Sequence, residues 1–154
     1  MARRSSKIVL DTSVVIKWFT KEEGSSSATR ILDSFANGSL QVAVSALTFY
    51  EAANALRYKR DFSSEDVQRC ISYLLEMELD VRGLDVGLLV ESLRIAFDGN
   101  VTFYDAVPAA IAKLEGVQCI TADEKSQFTP LSRRHYPIKL LEADPSAKTP
   151  RAHV

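Results

Sequence analysis

Four acidic residues sit where a carboxylate has no evident structural task. Asp11 ends the apolar run Lys7-Ile8-Val9-Leu10, and Asp123 closes the short run Gln118-Cys119-Ile120-Thr121. Glu51 lies within a small, apolar helical stretch, and Asp105 opens another. Two carboxylates about 5 Å apart repel by roughly 3 kcal/mol at an effective dielectric near 20. Gathering four without compensation would strain a marginally stable domain or raise their pKa values. A hard divalent cation removes that cost. Mg²⁺ takes oxygen ligands and keeps several waters. The chemistry such a set would support is metal-assisted hydrolysis of a phosphodiester.

Each residue also has a plainer reading. Asp11 and Asp123 could cap the helices that follow them. Thr102-Phe103-Tyr104-Asp105 has the spacing of a capping box. Glu51 has no basic residue three or four positions away, so no ion pair within the helix accounts for it. The stripe Ala46, Phe49, Tyr50, Ala53 and Leu56 is apolar as well, so this helix reads as covered on both sides. A carboxylate held there must be protonated, hydrogen-bonded or bound to a cation.

Other chemistries lack their residues. The two histidines, His135 and His153, stand apart, which argues against a His-based triad and against zinc. Neither GxxxxGK[ST] nor GxGxxG occurs. A dehalogenase-like phosphatase would carry a second Asp two residues after Asp11, where this chain has Ser13. A receiver domain would have an adjacent acidic pair near its first strand, and none surrounds Asp11.

These side chains must be positioned by elements that alternate in type. Strand-like runs at 7–11, 41–45, 79–84, 118–121 and 138–141 are separated by helical patterns near 12–20, through Ala28, Ile31, Leu32 and Phe35 up to Asn37-Gly38, and near 46–59, 64–77, 86–97 and 103–115. That alternation predicts an α/β domain with a mainly parallel sheet. Asp11 and Asp123 then fall at the carboxyl edge, where open α/β sheets bind ligands. Phe62-Ser63-Ser64-Glu65-Asp66-Val67 is the clearest helix start, with Ser63 as cap and Asp66 reaching back. The segment with Pro130 and Pro137 reads as a loop, and the tail from Ala143 as disordered, giving one domain over 1–142.

The bulk numbers fit this. A chain of 154 residues with 46% hydrophobic and 25% charged residues suits one soluble domain with a sizeable core. A net charge of −1 creates no overall field for a polyanion, so contacts to one must be local. Arg57, Lys59 and Arg60, and Arg133, Arg134 and His135, are the candidate patches. Cys70 and Cys119 lie in apolar segments and read as buried thiols of a reducing compartment. No run of roughly 18 apolar residues would span a membrane. Met1-Ala2-Arg3-Arg4 looks like the start of a signal peptide, but Asp11 and Lys17 interrupt the apolar stretch after it, so the expected location is the cytoplasm.

Order and spacing together resemble a known family. Val9-Leu10-Asp11-Thr12-Ser13 and Thr48-Phe49-Tyr50-Glu51-Ala52-Ala53-Asn54-Ala55-Leu56 look like the first two motifs of the PIN-domain family, in particular its VapC-like toxins. Thr102-Phe103-Tyr104-Asp105-Ala106 and Ile120-Thr121-Ala122-Asp123-Glu124 look like the last two. The resemblance covers residues 7 to 141 and implies a three-layer α/β/α sandwich. It also implies Mg²⁺- or Mn²⁺-dependent cleavage of RNA, a small antitoxin partner and a homodimer. By motif match Asp11, Glu51, Asp105 and Asp123 form the metal-binding acidic set, supported by Thr12, Ser13 and Thr121. Arg57, Lys59, Arg60, Arg133 and Arg134 would line an RNA rim. A non-catalytic module on the same fold, binding RNA or protein, is the alternative. The chain departs from the family at Pro108, where an aromatic residue is common. A proline is tolerated there if the helix starts at Asp105, so that Pro108 falls in its first turn.

Overall fold

The structure is a computed structural model that describes residues 5–144. Five short strands form one parallel sheet: β1 (Ser6–Leu10), β2 (Leu40–Ser45), β3 (Asp80–Arg82), β4 (Gln118–Thr121) and β5 (Ile138–Leu140). Their order across the sheet is β3-β2-β1-β4-β5. The chain therefore builds outward from β1 on one side, then returns to add β4 and β5 on the other. The switch point lies between β1 and β4, where Leu10 pairs with Ile120.

Among the described residues, seven α-helices surround the sheet: α1 (Thr12–Val15), α2 (Ser25–Ala36), α3 (Leu47–Arg57), α4 (Ser64–Glu76), α5 (Val86–Gly99), α6 (Phe103–Glu115) and α7 (Thr129–Ser132). A 3₁₀ turn, Ile16–Trp18, extends α1. Alternation along the strands sorts the core into two layers. Val9, Ala43 and Cys119 face α5, α6 and α7. Leu10, Val42 and Val44 face α1, α2, α3 and α4, where Ala28, Ala52 and Leu74 cover them. The result is the three-layer α/β/α sandwich.

Small residues bring α6 close. Ala106, Ala109, Ala110 and Ala112 are all buried, so the helix lies against the sheet and α5 through side chains of minimal bulk. At the amino edge of the sheet, charges are paired. Lys7 meets Asp80 and Glu115, and Arg82 meets the same two acids.

Local signals account for most helix ends. Ser63 and Asp66 form the reciprocal capping box of α4. Asn100 (φ 50°) and Gly116 (φ 68°) close α5 and α6 in the left-handed conformation. Gly24 precedes α2 at φ 85° and offers no side chain, so the Asp144 carboxylate supplies the cap from 120 residues away. Asp144 accepts from the amides of Gly24 (2.9 Å) and Ser27 (3.0 Å).

Several expectations need correction. Asp144 is anchored on α2, so the ordered chain passes the expected boundary at 142. The rest of the expected disordered tail, 145–154, lies outside the described residues, as do Met1 to Arg4 and His153. The stretch after Asp123 is no loop: a π-helical turn, Glu124–Phe128, leads directly into α7. Pro130 falls in the first turn of α7, where a missing N–H costs nothing. α6 starts at Phe103, as the pattern over 103–115 gives, so Pro108 is buried in its interior and not in a first turn opening at Asp105. Thr102 caps that start by accepting the Asp105 amide at 3.1 Å. Among the described residues, no helix is long and apolar enough to cross a membrane.

Candidate active site

The carboxyl ends of β1 and β4 carry Asp11 and Asp123 to the switch point. Both do cap the turn that follows. Asp11 Oδ2 accepts from the Ser13 amide (2.9 Å) and Asp123 Oδ1 from the Ser126 amide (2.9 Å). Capping uses one oxygen of each carboxylate, so it does not exclude a second role.

Glu51 approaches from α3. Its Oε1 accepts the Thr12 hydroxyl at 3.1 Å, and Thr12 Oγ1 lies 3.3 Å from Thr48 Oγ1. The glutamate is not covered on both sides as its neighbours suggested. Thr48, Ala52 and Leu56 form the buried stripe of α3, while Tyr50 is 76% exposed and Glu51 itself opens to solvent. A tyrosine counted as core thus faces water. Asp105 enters half-buried from the first turn of α6.

Glu51 and Asp105 sense the neighbouring carboxylates. Desolvation raises the Glu51 pKa, the Thr12 hydroxyl partly offsets it, and the charges of Asp11 and Asp105 raise it further. Desolvation also raises that of Asp105, opposed by Thr102 and reinforced by Asp11 and Asp123. Acids elsewhere, including Glu22, Asp80, Glu91 and Glu115, hold a Lys or Arg partner. Among the described residues, Asp11, Glu51, Asp105 and Asp123 hold none.

The supporting residues form a continuous chain of hydrogen bonds. Ser13 Oγ accepts the Ala122 amide (2.9 Å) and lies 3.3 Å from Thr121 Oγ1. Thr121 Oγ1 accepts the Asp123 amide (3.0 Å) and donates to Gln127 Oε1. Gln127 Nε2 donates to Asp11 Oδ1 (3.2 Å) and to the Asp105 carbonyl (2.9 Å). Gln127 is fully buried and was not legible beforehand. It reaches the site because the π-helical turn, closed by Phe128 N–H on Asp123 C=O at 2.9 Å, places it inward.

A hard divalent cation fits this donor set chemically, since every candidate ligand is an oxygen. The arrangement is open. Among the described residues, no three His, Cys, Asp or Glu side chains converge closely enough to enclose an ion. Such spacing suits an ion held by one or two carboxylates and its own waters rather than by a closed protein cage.

The proposed basic rim is less uniform. Lys59 pairs with Glu22 (3.2 Å) and Arg134 with Asp98 (3.3 Å). The Arg57 guanidinium lies 5.2 Å from the Tyr58 ring centroid. Arg60 and Arg133 are exposed and make no ion pair among the described residues.

Residues 8–129 match the model of the PIN domain, most of the chain. The chain belongs to the PIN-domain family. A curated relative, the exonuclease VapC9 of Pyrobaculum aerophilum, is 32% identical over 85 residues. That match covers 55% of this chain and 64% of VapC9, less than two thirds of its length. The fold is similar to that of VapBC2 from Rickettsia felis, bound there to a promoter DNA fragment (TM-score 0.64, 14% identity, 88% of this chain and 99% of that one). It is also similar to Mycobacterium tuberculosis VapC20, a sarcin-ricin loop cleaving toxin (TM-score 0.64, 16% identity, 84% and 95%). At these identities the likeness shows that the PIN fold is shared.

Proposed function

We propose that this PIN-family protein is a Mg²⁺- or Mn²⁺-dependent endoribonuclease and the toxin of a toxin–antitoxin pair. The observation that carries the reading is the set of four carboxylates without ion-pair partners at the switch point, two of them, Glu51 and Asp105, pushed up by desolvation and by neighbouring carboxylates. When bound, a divalent ion would activate water and neutralise charge on the scissile phosphate. Asp11 and Asp123 would hold it, with Glu51 and Asp105 completing its surroundings directly or through water. Asp11 is the anchored member, with both oxygens already oriented by Ser13 and Gln127. Among the described residues only Oε1 of Glu51 is engaged, which leaves Oε2 to take a hydrogen bond from the attacking water.

The names of similar proteins support the nuclease and toxin parts of the reading: the relative is called an exonuclease, one fold neighbour a sarcin-ricin loop cleaving toxin, and another, from Klebsiella pneumoniae, a toxin-antitoxin complex. A small antitoxin would be the partner, RNA the substrate and a homodimer the assembly. Arg57, Arg60 and Arg133 are the cations of the rim left to meet phosphates.

The experiment is incubation with a circular single-stranded RNA, which only an endonuclease can open. Opening of the circle with Mn²⁺ and none with EDTA is the expected result. The open spacing of the acids favours one second reading, a module that binds RNA without cutting it. RNA binding with an intact circle at every metal concentration would select that reading.

A further inference from the structure

We infer that Gln127 is a positioning residue that sets Asp11 against Asp105, an inference that rests on the metal-dependent reading above. A primary amide offers two N–H donors and one carbonyl acceptor. Gln127 commits all three kinds of bond inside the protein, to Asp11 at the end of β1, to Thr121 on β4 and to the Asp105 carbonyl on α6. It is the one side chain among the described residues that bonds to residues of all three elements at this edge.

The direction of the bonds is determined. Gln127 Oε1 can only accept, so the single Thr121 proton goes to it. The Ser13 hydroxyl must then donate to Thr121, while its own oxygen accepts the Ala122 amide. The order of donors runs from Ser13 through Thr121 and Gln127 to Asp11. With the Ser13 amide on Oδ2 and Gln127 on Oδ1, the plane of the Asp11 carboxylate is set, and each oxygen keeps a lone pair facing outward.

The need for the second tie lies in α6. Pro108 supplies no N–H to the Tyr104 carbonyl, which loosens the turn that carries Asp105. The capping box there is only half made: Thr102 takes the Asp105 amide, but no bond returns from the Asp105 carboxylate to the Thr102 amide. The Gln127 amide on the Asp105 carbonyl ties this turn to the end of β1 by hydrogen bonds, beside the apolar packing of Ala106 and Val107 in the cluster that holds Val9. The π-helical turn serves the same end, since Asp123 caps it and Gln127 lies within it. One turn therefore presents one carboxylate directly and aims two others.

A buried glutamine could instead serve packing alone, and metal affinity separates the two. Gln127→Met keeps the volume and removes all three bonds; Gln127→Asn keeps the amide but falls a methylene short. In the full-length protein, free Mn²⁺ measured by electron paramagnetic resonance gives affinity, EDTA-treated melting gives stability, and RNA cleavage gives kcat and KM. We expect Mn²⁺ affinity to drop about 10- to 100-fold in the Met variant, as for other residues that orient metal ligands. The Asn variant should lose at least several-fold, with kcat reduced more than KM in both. A lower melting temperature with Mn²⁺ affinity and kcat within about twofold of wild type would overturn the inference and leave the metal-dependent reading standing. Should the Met variant not fold, the Asn variant decides by the same criteria. A wild-type protein that takes up no Mn²⁺ would overturn both.

Discussion

Thr12 Oγ1 lies 3.1 Å from Glu51 Oε1, joining the end of β1 to the middle of α3. The carboxylate only accepts, so the Thr12 proton faces Glu51, and Thr12 Oγ1 is also the hydrogen-bonding neighbour of the buried Thr48 hydroxyl at 3.3 Å. Replacing Thr12 by Val keeps the shape but strands the Thr48 hydroxyl. The expected cost is about 1–3 kcal/mol in urea unfolding, and Thr12→Ser should recover most of it. Equal stability of the Val and Ser variants would show that this bond does not hold Glu51.

Glu51 carries an electrostatic penalty in the metal-free protein. Its pKa is raised first by desolvation, then by the charges of Asp11 and Asp105. Glu51→Gln should therefore raise the melting temperature in EDTA. The same substitution should shrink the rise that Mn²⁺ gives the wild type. A variant less stable in EDTA, yet stabilised by Mn²⁺ as strongly as wild type, would remove Glu51 from the site.

The capping box of α4 makes a distinct acid signature. The Ser63 amide, then the Ser63 hydroxyl, then Arg69, lower the Asp66 pKa from 3.8 to about 2. A depressed carboxylate contributes stability above its unfolded value, lost as pH falls through the folded one. Asp66→Asn should flatten the stability profile between pH 3.8 and about 2, and leave it parallel to wild type above. An unchanged acid limb would contradict the assignment.

Gly99, in the last turn of α5, reverses the usual rule that Ala is better than Gly in a helix. A Cβ there would meet Leu131 Cδ2 at 2.6 Å, and Leu131 is fully buried. Gly99→Ala should destabilise by about 1–3 kcal/mol. A stabilised variant would mean that α7 yields easily.

The parts of this fold that were legible are those with local causes. Valine-rich strands, the Ser63 box and the stop at Asn100 each signal within a few residues, so the α/β class and the mainly parallel sheet followed from alternation; the order β3-β2-β1-β4-β5 rests on long-range pairing that no local pattern encodes. Asp11 and Asp123 were legible because a carboxylate at a strand end is conspicuous. Glu51 was identified on a mistaken premise, since the face bearing Tyr50 was counted as covered. The helical character of 124–132 was hidden by Pro130 and by a π-helical turn whose period no apolar pattern announces. Gln127 and Asp144 depend on contacts more than 100 residues away, which no local motif encodes.

The central claim is that distant carboxylates share a cation at the ends of β1 and β4. Anomalous diffraction from Mn²⁺-soaked crystals measures this directly. A peak is expected within coordination distance of the Asp11 carboxylate and of at least one of Glu51, Asp105 and Asp123, absent in Asp11→Asn. No peak at this edge in crystals of a protein that still cleaves RNA, or a peak unmoved by the substitution, would contradict it.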